Sequence, residues 1–202
     1  MKIAIATKNE NKVRELHELM GIDGVEFVSL KSLGFEGEIV ENGSTFEENA
    51  MIKAKTVCEK YKLPTISDDS GLCVDALNGE PGIYSARYAS TDEHNSSDLE
   101  NTEKLLHGIE KIPEFERSAR FVCAMAFCAP DGTQLTVKGI CEGLITRECR
   151  GQSGFGYDPV FFCPKLSKTF GEATDEEKNT VSHRANAARQ MSRELCEYIK
   201  KH

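Results

Sequence analysis

Apolar residues along this chain recur with two periods, and each period marks a different kind of element. Residues 2–6, KIAIA, are apolar without a break after Lys2, as in a strand covered on both faces. Val13, Leu16 and Met20 then follow at helical spacing, with Asn9 as a candidate N-cap and Gly21 or Gly24 as a stop. VEFVSL reads as a second strand. From Ser44 the helical pattern is strong: Phe46, Ala50, Ala54, Val57 and Tyr61 share one face, Ser44 and Glu47 have capping-box spacing, and Pro64 closes the segment. Leu99, Thr102, Leu106 and Ile109 mark a third helix. ARFVCAMAFCAPDGTQLTVKGICEG reads as a long hairpin turning at PDGT, and PVFFC as a further strand. TDEEKN predicts a short helix with a Thr174–Glu177 capping box. The last helix starts near Ser182, with Ala187, Ala188, Met191, Leu195 and Tyr198/Ile199 as its stripe.

Helices and strands alternate, but the hairpin has to be antiparallel, so the pattern predicts an α/β fold with a mixed sheet flanked by helices. No internal repeat or linker interrupts the chain, and residues 1–202 read as one domain. One stretch resists the pattern. TISDDSGLCVDAL, residues 65–77, predicts two short strands around an Asp-Asp-Ser-Gly turn, bent at Gly71. It sets adjacent carboxylates, which repel each other and resist burial, between apolar runs.

Composition narrows the function classes. A hydrophobic fraction of 39% supports a sizeable core, and a net charge of −8 makes nucleic acid and anionic membranes poor general partners. No apolar run has the length of a membrane span, and MKIAIATKNE lacks the pattern of a signal peptide. The eight cysteines contain no C-x-x-C pair and several sit in apolar runs, so they read as free thiols in a reducing, cytoplasmic setting.

Five places carry candidate chemistry. ATKNENK, residues 6–12, joins a strand to a helix N-terminus, where free N–H groups and the helix dipole favour an anion; Lys8 and Lys12 add charge, and Thr7, Asn9 and Asn11 add hydrogen-bonding groups. The same stretch also reads as an ordinary capped turn. Glu41 stands in a polar loop before the strong helix and matters only if a second carboxylate comes near. Lys53 lies at the edge of that helix's apolar stripe, and on pattern alone it reads as a lysine that snorkels to water. SGFGYDP, residues 153–159, offers rings at Phe155 and Tyr157 and a carboxylate at Asp158 among glycines, which suits a purine or, equally, a turn with core aromatics. Finally, EEKNTVSHRANAA puts His183 and Arg184 in a first helical turn, the wrong end for cations, with Lys178 just upstream.

Together these stretches resemble the signatures of the Ham1/RdgB/inosine triphosphatase family: TKNENK, ENGSTFEENAMIKA, SDDSGLCVDALNGEPGIYSARYA, GFGYDPVF and EEKN with VSHR, in the family's order from residue 2 to about 191. The resemblance implies two lobes with a nucleotide cleft between them, a homodimer, and Mg²⁺-dependent hydrolysis of ITP, dITP and XTP to the monophosphate and pyrophosphate. Carried over residue by residue, it gives the triphosphate to Thr7, Lys8, Asn9, Glu10, Asn11 and Lys12, with Lys53 on the phosphates and Ser70 on the substrate. It makes Glu41 and Asp69 metal ligands and Asp69 the proton acceptor, with Asp68 in support. It stacks Phe155 on the base, lines the pocket with Gly156, Tyr157 and Asp158, and has Lys178, His183 and Arg184 read the base edge.

The residue types suit that chemistry. Mg²⁺ is a hard ion that prefers oxygen and keeps several waters, so one or two carboxylates suffice. A cation can donate to the O6 of inosine or xanthosine but meets the amino group of adenine unfavourably, and an unpaired polar group in a dry pocket discriminates strongly. A Maf-type pyrophosphatase, a nucleotide-binding regulator without turnover and a thiol-dependent redox protein are the competing readings.

Overall fold

β1 (Lys2–Ile5) shows how the sheet is built. In a strand, successive side chains leave on opposite faces. Ile3 and Ile5 enter one apolar cluster, with Val13, Leu16 and Met20, while Ala4 and Ala6 enter another, with Leu30 and Val57. One face of β1 is therefore covered by α1 (Glu10–Leu19) and by α5 (His183–Ile199), which brings Ala187, Ala188, Met191 and Leu195 to the first cluster. The other face is covered by α2 (Phe46–Tyr61), through Val57. The computed structural model describes residues 1–90 and 95–201, and of Glu10 and Asn11 the backbone alone.

β2 (Glu26–Ser29) pairs in parallel with β1, Lys2 opposite Glu26 and Ile5 opposite Ser29. β3 (Thr65–Val74) runs parallel to β1 on its other side, Ala4 opposite Thr65. β4 (Ser118–Cys128) and β5 (Gln134–Ile145) form the expected hairpin, closed by Ala129 N–H donating to Thr133 O. β6 (Phe161–Cys163) and β7 (Lys168–Thr169) add antiparallel pairs. Among the described residues the sheet is mixed and seven-stranded, in the order β2-β1-β3-β4-β5-β6-β7.

The chain divides into two units. The first comprises Met1–Asp69, Cys123–Gly139 and Ala185–His202; the second comprises Ser70–Val122 and Ile140–Arg184. The clusters on β1 belong to the first. The second has its own core of Leu72, Leu105, Phe121, Phe161 and Phe170, which includes α3 (Asp98–Gly108). Arg117, 2% exposed, donates to the carbonyls of Ile109, Glu110 and Ile112 in the segment that follows α3.

Several expectations shift. The Asp-Asp-Ser-Gly turn does not exist: β3 runs unbroken through it, and Gly71 is a strand residue. The cap of α2 is Thr45, which accepts from Glu48 N–H, rather than Ser44 with Glu47; the Glu48 carboxylate takes Ser44 N–H at 2.6 Å. Of the expected stripe, Thr102 and Ile109 are buried but Leu99 is 64% exposed, and α3 also buries Asn101 and Leu105. Val160 closes a 3₁₀ turn, Asp158–Val160, so the strand in PVFFC starts at Phe161. The Thr174–Glu177 capping box is present on α4 (Asp175–Val181), and α5 starts at His183 as read.

Candidate active site

In the first unit the strand geometry resolves the paired aspartates. Ile66 joins the cluster under α1, and Asp68, two residues on, leaves on that same face to meet Lys12 Nζ at 2.9 Å. Ser67 donates to Ala50 O of α2, and Asp69, two residues on, faces α2 as well. Its Oδ1 lies 2.9 Å from Lys53 Nζ, and its Oδ2 accepts from Asn49 Nδ2 at 3.4 Å. Lys53 Nζ also reaches Glu41 Oε2 at 2.7 Å. Lys53 is thus no snorkelling lysine: it is buried, and its ammonium is shared by two carboxylates.

Burial disfavours the charged form of Lys53, but Asp69, Glu41 and Asp68 outweigh it and hold the ammonium above the ordinary lysine range. Burial pushes Asp69 upward from its ordinary value, with Lys53 and Lys12 pulling the other way. The upward direction makes Asp69 a stronger proton acceptor than an exposed aspartate. Among the described residues, no three His, Cys, Asp or Glu side chains gather as a metal cage. The Glu41–Asp69 pair nevertheless fits a hard divalent ion, since two carboxylates already converge on one cationic centre and water can fill the remaining positions.

Beside this cluster, Ile5 leads into the loop at Thr7. Asn9 N–H donates to Thr7 Oγ1 at 3.2 Å, and Asn9 Oδ1 caps α1 by accepting Lys12 N–H at 3.2 Å. Lys8 and Asn9 are exposed and Thr7 is half-buried. The side chains of Glu10 and Asn11 lie outside the described residues.

In the second unit the residues around Phe155 are held by a buried carboxylate. Asp158, 2% exposed, accepts Phe155 N–H at 2.9 Å and Lys178 Nζ at 2.7 Å through the same oxygen. The loop needs glycine here: at Gly154 φ is +77°, and a Cβ would lie 2.0 Å from that Asp158 oxygen. Lys178 Nζ stands 5.0 Å from the Phe155 ring centroid, and Arg184 Cζ stands 5.6 Å from it. Arg184 also donates to Ser70 Oγ at 3.4 Å. His183 stacks on Phe121 with centroids 4.7 Å apart. Tyr157 is buried and donates to Ser85 O at 2.9 Å, and burial pushes its hydroxyl well above the usual tyrosine range. Phe155 is half-buried.

A family model described as the Ham1 family matches residues 3–194. The chain belongs to the Ham1 family. This Ham1-family chain is similar to a protein of Bacillus licheniformis named dITP/XTP pyrophosphatase, 48% identical over 191 residues that cover 95% of this chain and 96% of that one. A Halalkalibacterium halodurans protein of the same name is 45% identical over 95% of this chain and 97% of its own. In structure the chain is similar to the Staphylococcus aureus Ham1 protein, with a TM-score of 0.87 at 38% identity over 98% of this chain and 100% of that one.

Within this Ham1-family chain the sequence-predicted residues fall into two groups. Thr7 to Lys12, Glu41, Lys53 and Asp69 lie in the first unit; Ser70, Phe155 to Asp158, Lys178, His183 and Arg184 lie in the second. Three further residues escaped the sequence reading. Asn49 contacts Asp69, Asp98 accepts Gly156 N–H at 2.7 Å, and Ser85 holds Tyr157 while its hydroxyl accepts Leu72 N–H. A polar residue one helical turn before Lys53 on the buried face was the available signal for Asn49; Asp98 and Ser85 had none, because their partners are distant in sequence.

Proposed function

We propose that this chain hydrolyses the deaminated purine nucleoside triphosphates ITP, dITP and XTP to the monophosphate and pyrophosphate, with Mg²⁺. The observation that carries the reading is the Glu41–Lys53–Asp69 cluster, in which two half-buried carboxylates converge on one buried ammonium beside the Thr7–Lys12 loop. The names of the curated relatives support the substrate class.

On this reading Asp69 accepts the proton of the attacking water as its oxygen bonds to the α-phosphorus. The bond from the α-phosphorus to the bridging oxygen breaks, and pyrophosphate leaves. Glu41 and Asp69 would hold Mg²⁺, which when bound would supply charge neutralisation on the phosphates and polarisation of the phosphoryl oxygen. Thr7 to Lys12 and Lys53 bind the phosphates, and Ser70 contacts the substrate. Asp68 holds Lys12 in place through a buried ion pair. Phe155 stacks on the base, in the pocket of Gly156 and Tyr157, and Asp158 keeps Phe155 and Lys178 in register. Lys178, His183 and Arg184 donate to the base edge, where O6 is accepted and the adenine amino group is refused.

The resemblance also supports a homodimer, which light scattering at micromolar concentration tests. Eight unbridged cysteines support a reducing, cytoplasmic setting. No described helix is long and apolar enough to cross a membrane. The deciding assay is pyrophosphate release from ITP, XTP, dITP, GTP and ATP, with and without Mg²⁺, in wild type and Asp69→Asn. Release of orthophosphate, or equal turnover in the variant, overturns the mechanism.

A further inference from the structure

Asn49 is an unexpected residue for its position. It lies in the first turns of α2, 2% exposed, between Phe46 and Ala50 on the stripe that faces the core. Asparagine is a weak helix former, and a buried carboxamide needs partners at both ends. Asn49 has both: its Oδ1 accepts Gly43 N–H at 2.8 Å, and its Nδ2 donates to Asp69 Oδ2 at 3.4 Å. The orientation follows from chemistry. A backbone N–H can only donate, so the atom facing Gly43 is the oxygen and the NH₂ group faces the carboxylate.

Gly43 supplies an independent observation. A Cβ there would lie 2.7 Å from both Asn49 Oδ1 and Glu48 Cβ, and 3.0 Å from Asn49 N. The loop is pressed against the start of α2 so closely that only glycine fits. Glu41 is two residues upstream, and its carboxylate meets Lys53, which is one helical turn beyond Asn49 on the same face. One side chain therefore grips the backbone that carries Glu41 and, at its other end, the carboxylate of Asp69. With Oδ2 tied to Asn49, Oδ1 is the Asp69 oxygen turned to the cation shared with Glu41.

We propose that Asn49 is a positioning residue that sets the spacing of the Glu41 and Asp69 carboxylates for a divalent cation. The inference rests on the reading of that pair as the metal ligands. Partners that orient metal ligands in this way contribute about 10–100-fold to metal affinity when tested by substitution.

The test is Mn²⁺ binding to the nucleotide-free protein, followed by the loss of the free-ion EPR signal, alongside ITP turnover against Mg²⁺ concentration. Asn49→Ala is expected to bind Mn²⁺ about 10–100-fold more weakly and to recover kcat in excess Mg²⁺ with little change in the KM for ITP. Gly43→Ala leaves the α2 sequence intact but displaces Asn49 Oδ1, and it is expected to shift Mn²⁺ binding in the same direction. Wild-type Mn²⁺ affinity in either folded variant overturns the inference, whatever its thermal midpoint; if Asn49→Ala does not fold, Gly43→Ala decides. A wild-type protein that neither binds Mn²⁺ nor releases pyrophosphate overturns the parent reading instead. Wild-type turnover without Mn²⁺ binding overturns this inference and leaves the hydrolysis standing.

Discussion

Asp68 and Asp69 are adjacent in sequence yet face different lysines: Asp68 Oδ2 lies 2.9 Å from Lys12 Nζ, and Asp69 Oδ1 lies 2.9 Å from Lys53 Nζ. The alternation of a strand sends the two charges to opposite faces of β3. Like-charge repulsion is replaced by two separate ion pairs, and the two aspartates become separable in experiment.

Asp69 should titrate above the ordinary aspartate value of 3.8 in the metal-free protein, because burial raises it. A raised value means the proton is held to higher pH, so the basic form of Asp69 is lost sooner on acidification. Adding Mg²⁺ should bring the value back down if Asp69 is a ligand. Carboxyl ¹³C NMR checks both, and an Asp69 resonance unmoved by Mg²⁺ would exclude ligation. Asp69→Asn should lower kcat for ITP by about 10²–10⁴-fold, the range for a lost general base.

Lys12 and Asp68 should respond unequally to mutation. The Asp68 side chain is fully buried, whereas that of Lys12 keeps 15% of its exposure. Lys12→Met removes the cation paired with a buried carboxylate and should cost up to about 3–5 kcal/mol. Asp68→Asn leaves a lysine that can turn to water and should cost less. Urea unfolding of both single variants and the double variant measures the coupling; equal losses from the two single changes would contradict the pairing.

Lys178→Ala should alter preference more than chemistry. Its ammonium is held at 2.7 Å by Asp158 and stands over Phe155. Losing a charged donor of this kind is worth about 1.5–3 kcal/mol, so the ITP-to-ATP ratio of kcat/KM should fall by roughly tenfold or more. An unchanged ratio removes Lys178 from base recognition.

The thiols should divide by exposure. Cys149 and Cys196 are exposed and should react with iodoacetamide in the native protein. Burial pushes Cys58 and Cys141 up to about 12, so both stay protonated and unreactive at neutral pH. Peptide mass spectrometry after a short native pulse reads the pattern, and early labelling of Cys141 would contradict its burial.

Periodicity was a sound guide wherever one face of an element meets one core. Val13, Leu16 and Met20, or Ala187, Met191 and Leu195, are buried as their spacing requires. It failed where polar groups sit inside an element. Two aspartates and a serine made residues 68–70 look like a turn, since charged runs favour loops. Their partners, Lys12, Lys53 and Arg184, lie up to 114 residues away, and local pattern carries no trace of them.

The sequence by itself determined the mixed α/β class, most helices, the family resemblance and the residue types of the candidate site, because these depend on local spacing and ordered motifs. Tertiary structure alone decided that β3 is continuous, that Lys53 is shared by Glu41 and Asp69, that Asp158 is committed to Phe155 and Lys178, and that Asn49 joins Gly43 to Asp69. The physical reason is common to all four. A buried charge or amide is tolerated only with its partner, and the partner is chosen by packing across the fold rather than by nearness along the chain.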